Sequence, residues 1–302
     1  MTRPEIDPVA VLAALGVVDG NVIKPLSGGV DTALWRIERQ GVPSVLRVFR
    51  PEQVDTCRRE VWAMRAAAQG GIPVPRVHAR GVWQDRPALL LSWCPGRQVW
   101  AELRDQPWTL WRLGVAFGRT QARIHRVRPA AADFDIDPHA WIDWAGPTAK
   151  RLNERLREFS QDPAALLHLD YHPLNVLAQD GRITAVLDWA NARPGDRRAD
   201  LARTLTILRF SPRQIGTPPR WIGPADDEPL VRAVRWLLAV SWRRGYQAEA
   251  GPVGDLAAFY AWAGAVMLRD LGPRADRPDG PPLAVLEPVR RWSAYWARRA
   301  GI

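Results

Sequence analysis

Residues 168–177 read HLDYHPLNVL: two histidines, an aspartate and an asparagine fall within eight residues, with apolar side chains between them. Pro173 has no N–H to donate and a fixed φ, so neither a helix interior nor a central strand can run through this stretch. The apolar spacing argues for burial, and a buried polar group without a hydrogen-bond partner is costly. The stretch is therefore read as a loop that the rest of the chain must be arranged to hold.

The chain around it changes period once. Residues 5–16, EIDPVAVLAALG, suit a short helix with Asp7 as cap, Pro8 in the first turn and Gly16 at the end. Residues 21–50 carry short apolar runs separated by Gly-Gly, Gln-Gly and Pro, the pattern of three antiparallel strands joined by tight turns. In 51–69, Val54, Cys57, Val61, Met64 and Ala68 fall on one stripe at helical spacing. Strands are expected again within 70–81 and 87–96. After Gly96 strand signals thin out. Residues 110–127 and much of 230–302 read as helix, and the Pro- and Gly-rich 211–229 and 272–282 read as loops. A small antiparallel sheet with one helix, followed by a larger helical part, is an α+β arrangement without internal repeats.

At 302 residues and 47% hydrophobic, the chain can bury one large core or two lobes. No apolar run follows the opening MTRPEIDPVA, and the apolar stretch 231–242 is interrupted by arginines, so neither a secretory leader nor a membrane span is expected. Cys57 and Cys94 form no disulfide or metal spacing, which suits a reducing, cytoplasmic setting. The net charge of +10 raises nucleic acid or an anionic membrane as partners. Yet Lys24 and Lys150 are the only lysines, and the arginines are scattered without a run of five. This is a compositional habit rather than a basic stripe, and neither partner is expected.

The spacing His168-x-Asp170-x₄-Asn175 is followed by ITAVLDWA, a strand running into Asp188. A carboxylate, an amide and a second carboxylate thus converge from a loop and a strand end. Phosphoryl transfer uses such a set: one carboxylate orients the attacking hydroxyl, while an amide oxygen and another carboxylate hold Mg²⁺ against nucleotide phosphates. A histidine metal site is not expected, because His168 and His172 lie in a loop broken by proline.

HLDYHPLNVL followed by VLDWANARPGDRRADLA resembles the aminoglycoside phosphotransferase family, whose pattern is H-G-D-x-H-P-x-N, then I-D-W and G-D-x-x-x-D-L-A. Leu169 stands where that pattern has glycine. The resemblance covers most of 20–210. It implies a two-lobed protein-kinase-like fold, with a nucleotide-binding lobe over 1–95 and a helical lobe with the acceptor site over 96–302. It also implies an enzyme that uses Mg²⁺ and ATP, or GTP, to phosphorylate a hydroxyl of a small molecule. By position, Asp170 is the base, and Asn175 and Asp188 are the Mg²⁺ ligands. Ser27, Gly28 and Gly29 form the turn over the phosphates. Arg47 binds phosphate and is fixed by Glu60 from the next helix. The Ser92 carbonyl and Cys94 N–H bond the adenine edge, with Val45 and Leu91 against the ring. His168 and His172 brace and shape the loop, and His125 is structural. Asp200 is either a helix cap for a helix starting at Leu201 or an acceptor for loop N–H groups, and Asp196 fits either role.

Two other readings compete with the kinase: a catalytically silent nucleotide- or metabolite-binding member of the same fold, and a nucleic-acid binder using the basic surface. Asp170, Asn175 and Asp188 together argue against the silent member. From Arg203 onward there are fifteen arginines against nine Asp and Glu, a balance poorly suited to a polycationic acceptor. A neutral or anionic small alcohol is expected instead.

Overall fold

The computed structural model describes residues 6–26, 32–130, 136–159, 165–210, 228–275 and 283–302. Helix α1 (Pro8–Ala14) starts where Asp7 accepts a 2.9 Å hydrogen bond from the Val9 N–H. Five strands follow: β1 (Gly20–Leu26), β2 (Ala33–Arg39), β3 (Val42–Val48) and, beyond α2 (Val54–Gln69), β4 (Val77–Trp83) and β5 (Arg86–Ser92). They form one antiparallel sheet in the order β1-β2-β3-β5-β4. Gln40-Gly41 and Gln84-Asp85 turn the two tight hairpins with φ between +45° and +78°, a geometry that matches strand twist.

Alternation along β3 and β5 divides the sheet into two faces. Ile37, Leu46, Val48, Ala88 and Leu90 pack on Val11 and Leu12 of α1. Phe49, Leu89, Leu91 and Val45 face the other way, into a core shared with Cys57, Val61 and Met64 of α2. That core runs on into the second half of the chain through Phe117, Tyr171, Val176, Val186 and Trp189. The expected α2 stripe holds at Cys57, Val61 and Met64 but fails at its ends. Val54, at the first residue of the helix, is 42% exposed, and Ala68, two residues before the Gly70-Gly71 exit, is exposed. Ala63, Ala66, Ala67 and the polar Glu60 are buried in their place.

The second half begins with β6 (Arg97–Gln98), α3 (Val99–Asp105), α4 (Leu110–Ile124) and α5 (Lys150–Phe159). Next come β7 (Ala165–Leu167), β8 (Val176–Gln179), β9 (Arg182–Val186) and β10 (Arg193–Gly195). Helices α6 (Arg197–Phe210), α7 (Glu228–Ala250), α8 (Ala257–Leu271) and α9 (Leu286–Arg299) complete it. Strand β7 pairs with β10, and β6, β8 and β9 form a small antiparallel sheet. A second core gathers Trp141, Leu156, Leu167, Leu169, Phe259 and Trp262. Helix α7 takes Glu228 and Pro229 from the expected 211–229 loop, since proline is tolerated in a first helical turn. Residues 211–227 and 276–282 lie outside the described residues, and Gly272–Arg274 form a single 3₁₀ turn.

Helices α4 and α7 approach through glycine. A Cβ on Gly118 would sit 2.0 Å from the Trp242 carbonyl oxygen, and one on Gly245 would sit 2.1 Å from that of Val115. Gly118→Ala should therefore destabilise the fold by about 1–3 kcal/mol through overpacking. At an exposed helical site the same change would stabilise by up to about 1 kcal/mol. Urea unfolding checks this; an unchanged or raised midpoint would mean that the helices separate without cost.

Candidate active site

The loop from His168 to Asn175 connects β7 to β8, and α6 holds it from below. Helix α6 starts at Arg197, so its cap is Asp196, whose Oδ1 accepts the Arg198 N–H at 2.9 Å. Asp200 lies inside the first turn and faces the loop. Its Oδ1 accepts the Leu169 N–H at 2.7 Å, and its Oδ2 accepts the His168 N–H at 3.1 Å and bonds His125 Nε2 at 2.8 Å. Of the two roles open to Asp200, the structure shows the second. Burial alone would raise its pKa, but the His125 contact and the loop N–H bond bring it below the usual carboxylate range. His125 Nδ1 is 2.8 Å from the Tyr246 hydroxyl, which ties α4 and α7 to the same carboxylate.

Leu169 has φ +60°, where glycine sits without strain and a side chain costs roughly 1–2 kcal/mol. Its side chain is fully buried against the second core, a contribution of about 1.5–3 kcal/mol. Leu169 therefore holds a positive φ that glycine would adopt without strain, and its side chain adds a packing contact.

His168 is fully buried, and desolvation pushes its pKa down, so the ring is neutral. Nε2 is 2.9 Å from the Leu187 carbonyl, an acceptor only, and Nδ1 receives the Asp170 N–H at 3.3 Å. These two partners fix the proton on Nε2. The ring thus spans the loop and the residue just before Asp188.

The Asn175 amide group donates to the Asp170 carbonyl at 3.0 Å and to Asp170 Oδ2 at 3.1 Å. Both partners are acceptors, so the NH₂ faces Asp170 and the amide oxygen is turned away from it. His172 Nε2 lies 3.6 Å from Asp170 Oδ1. Burial works to raise the pKa of Asp170, but His172 and, to a lesser extent, Arg203 hold the carboxyl well below the usual range. Asp170 is therefore ionised throughout neutral pH.

Asp188 follows β9 with φ +60°, and its side chain is 37% exposed. Across from it, strand alternation aims Arg47 of β3 toward α2. Arg47 Nη1 is 2.7 Å from Glu60 Oε1, and Nη2 is 3.1 Å from Asp188 Oδ1. One guanidinium thus joins carboxylates from both halves of the chain. Glu60 is 1% exposed, and burial pushes its pKa up to about 7 against the pull of Arg47. Such a glutamate is most easily accommodated neutral. Its contribution to stability is complete below the ordinary glutamate range and is lost as pH rises through about 7.

The segment linking the halves is pinned on both sides. The Ser92 N–H donates to the Arg76 carbonyl at 2.8 Å, and Ser92 Oγ accepts the Arg76 N–H at 2.9 Å. The Trp93 N–H reaches the Pro43 carbonyl at 3.3 Å, and Thr184 Oγ1 donates to the Pro95 carbonyl at 2.6 Å. Cys94 lies half-buried between these anchors, its thiol pKa raised by burial. Val45 and Leu91 are register partners in the strands that lead into it. Ser27, Gly28 and Gly29 lie outside the described residues.

Asn175 and Asp188 offer an amide oxygen and a carboxylate, the hard donors that Mg²⁺ prefers, and a Mg²⁺ held with substrate phosphates needs only one or two protein carboxylates. Among the described residues, no group of three or more His, Cys, Asp or Glu side chains is arranged for a metal, which excludes a closed all-protein cage of those types there. No described helix is long and apolar enough to cross a membrane.

The sequence profile of the phosphotransferase enzyme family matches residues 22–236, and the chain belongs to that family. Among curated proteins, a probable ketoamine kinase of Thermus thermophilus is 29% identical over 124 residues. That match spans 41% of this chain and 39% of the relative's length. Among solved structures, the aminoglycoside phosphotransferase APH(4)-Ia superposes with TM-score 0.60 at 16% identity, over 96% of this chain and 95% of that one. A thermostable variant of that enzyme, in a ternary complex with AMP-PNP and hygromycin B, gives TM-score 0.61 with the same identity and coverage. An aminoglycoside-3'-phosphotransferase of type VIII gives 0.60 at 19% identity, over 85% and 97% of the two chains. At these identities the solved structures establish the fold, protein-kinase-like with a small antiparallel sheet and a helical part.

Proposed function

We propose that this chain transfers the γ-phosphoryl group of ATP, or of GTP, to a hydroxyl of a small molecule, with Mg²⁺ as cofactor. The observation that carries the reading is the Asn175 clamp, which fixes the orientation of the Asp170 carboxylate and leaves its own amide oxygen turned away from it, free for a cation. Asp170 Oδ1, beside His172, orients the acceptor hydroxyl and takes its proton as the new O–P bond forms. Arg47 neutralises phosphate charge, and Glu60 keeps it extended into the cleft. Asn175 and Asp188 hold the Mg²⁺, which offsets charge on the transferring group. Ser27, Gly28 and Gly29 are assigned to the phosphates, and Val45, Leu91, Ser92 and Cys94 to the adenine. The work is positioning and electrostatics, carried by side chains that neighbours already hold in place. A cytoplasmic setting is part of the same reading.

Thermal stabilisation by AMP-PNP with and without Mg²⁺, followed by ADP release over a panel of hydroxyl compounds, tests the reading. Stabilisation that needs Mg²⁺ is expected, and Asp188→Ala should lose the Mg²⁺-dependent part. An Asp188→Ala protein that binds Mg–AMP-PNP like wild type would mean that Asp188 does not hold the metal. Nucleotide binding without turnover on any acceptor would favour the silent member.

The Arg47–Glu60 pair makes a separate prediction. Arg47→Ala and Glu60→Ala should each raise the nucleotide KM, and the double variant should fall short of their sum, because Glu60 acts only through Arg47. Additive effects would dissolve the pair. Glu60→Gln should also remove a loss of stability, on the order of 3 kcal/mol, that wild type suffers between about pH 4.5 and 7. Urea midpoints across that interval read it directly.

A further inference from the structure

Arg203 lies on α6, three residues beyond the carboxylate that holds the 168–175 loop, and it is 8% exposed. A buried guanidinium has five N–H groups to satisfy and no way to shed its charge. Here Nη2 donates to Asp270 Oδ2 of α8 at 2.7 Å. Asp270 is itself divided, since its Oδ1 also receives Arg269 at 2.8 Å, and its side chain is 36% exposed. Arg203 Nε and Nη1 are shielded from solvent and have no hydrogen-bond partner. A strut between α6 and α8 would be expected to satisfy these inner edges, because each orphaned buried donor costs free energy. Asp200, one turn earlier on the same helix, binds the N–H groups of His168 and Leu169, the two residues before Asp170, so the unfilled donors sit on the helix that holds this loop, and their charge acts on the Asp170 carboxyl. The lobe around it is also rich in cations: fifteen arginines against nine Asp and Glu from Arg203 to the end of the chain.

We propose that Arg203 is a specificity residue that binds an anionic group of the phosphate acceptor, so that the substrate is a small alcohol bearing a carboxylate or a phosphate. This rests on the assignment of Asp170 to the acceptor hydroxyl. An anionic acceptor approaching Asp170 meets a carboxylate of its own sign, and Arg203 offsets that repulsion while filling its open donors with ligand oxygens. Arginine supplies this without a proton equilibrium, so the preference holds across neutral pH. A polycationic acceptor would meet the same guanidinium as a like charge.

The test pairs acceptors that differ only in the anion: glycerate against glyceramide, and ribose 5-phosphate against ribose. With MgATP, an anionic member should be favoured in kcat/KM by about 10²-fold over its neutral partner. Arg203→Gln should raise the KM for that member by a similar factor, Arg203→Lys should recover part of it, and the nucleotide KM should stay unchanged. Binding is read independently with inorganic phosphate, as thermal protection of wild type and of Arg203→Gln, each with and without saturating Mg–AMP-PNP. Protection that is present in wild type and lost in Arg203→Gln supports the assignment. Which of glycerate and ribose 5-phosphate is turned over tells carboxylate from phosphate. Neutral partners used as well as anionic ones, an unchanged acceptor KM in Arg203→Gln, or equal or absent phosphate protection in the two proteins would overturn it. Failure of Mg–AMP-PNP to stabilise wild type would count against the kinase reading instead, because loss of phosphate protection on Arg203→Gln is legible without nucleotide.

Discussion

Asp170→Asn should lower kcat by about 10²–10⁴ and leave affinity for Mg–AMP-PNP within about twofold of wild type. The substitution is isosteric, and the Asn175 NH₂ still needs an acceptor where Oδ2 now sits. The new amide satisfies that donor with its oxygen and so presents its NH₂ at the Oδ1 position, where the acceptor hydroxyl would bring its own proton. A donor then meets a donor, and the hydroxyl loses both its orientation and its proton acceptor. Nucleotide contacts are assigned to Arg47, Asn175 and Asp188, which the change leaves in place. The pH dependence follows from the depressed pKa of Asp170. A carboxylate held below the ordinary range stays ionised as pH falls toward about 4, so any loss of kcat between pH 8 and 5 arises elsewhere. Because so acidic a group is a weak base, most of its contribution is orientation, with proton transfer late in a loose transition state. Steady-state and single-turnover rates decide it: an Asp170→Asn enzyme with the wild-type kcat would falsify the assignment.

The parts legible in sequence are those written in period or in proline and glycine. Strands β1 to β3 stand out because Gln40-Gly41 separates two alternating runs, and α2 because Cys57, Val61 and Met64 repeat at helical spacing. The loop at 168–175 is marked by Pro173. Strands β7, β8 and β10 escape a sequence reading because they have only three or four residues each, too few for alternation to show, and β10 contains Pro194. Helices α3 and α5 escape it as well. At the site, the chemistry-bearing residues in HLDYHPLNVL can be picked out because polar groups stand out in an apolar stretch. The support beneath them is harder to see. Asp200 reads in sequence as either a helix cap or an acceptor for loop N–H groups, and only the structure decides between them by showing three donors converging on it. Arg203 gives no signal at all: an arginine in an arginine-rich helix reads as surface, and only burial with unmade hydrogen bonds sets it apart. The conformation of Leu169 is likewise invisible, since its positive φ is imposed by Asp200 and the core rather than by residue preference.

Asp200→Ala should cost the fold about 3–5 kcal/mol, since each of several buried donors left without its acceptor costs roughly 1–3 kcal/mol. The carboxylate is fully buried and accepts from two loop N–H groups and from His125. Alanine would strand all three donors away from water, and each orphaned donor carries its own desolvation penalty. Leu169 would lose the hydrogen bond that holds it at φ +60°, so the loop would relax and carry Asp170 out of place. Asp200→Asn separates these effects. It keeps one acceptor oxygen and the volume, but turns an NH₂ group toward donors, so it should recover part of the stability and little of the turnover. The pH dependence has a definite sign. The folded pKa of Asp200 lies below that of the unfolded chain, so its stabilisation is complete above the ordinary aspartate range. It is lost as pH falls below about 4 and through the lower folded value. The gap between wild type and Asp200→Ala should therefore be widest at neutral pH and should close under acid. Urea midpoints at pH 7 and pH 3 measure it, and a gap of the same size at both would mean that the carboxylate supports the loop by shape and not by charge.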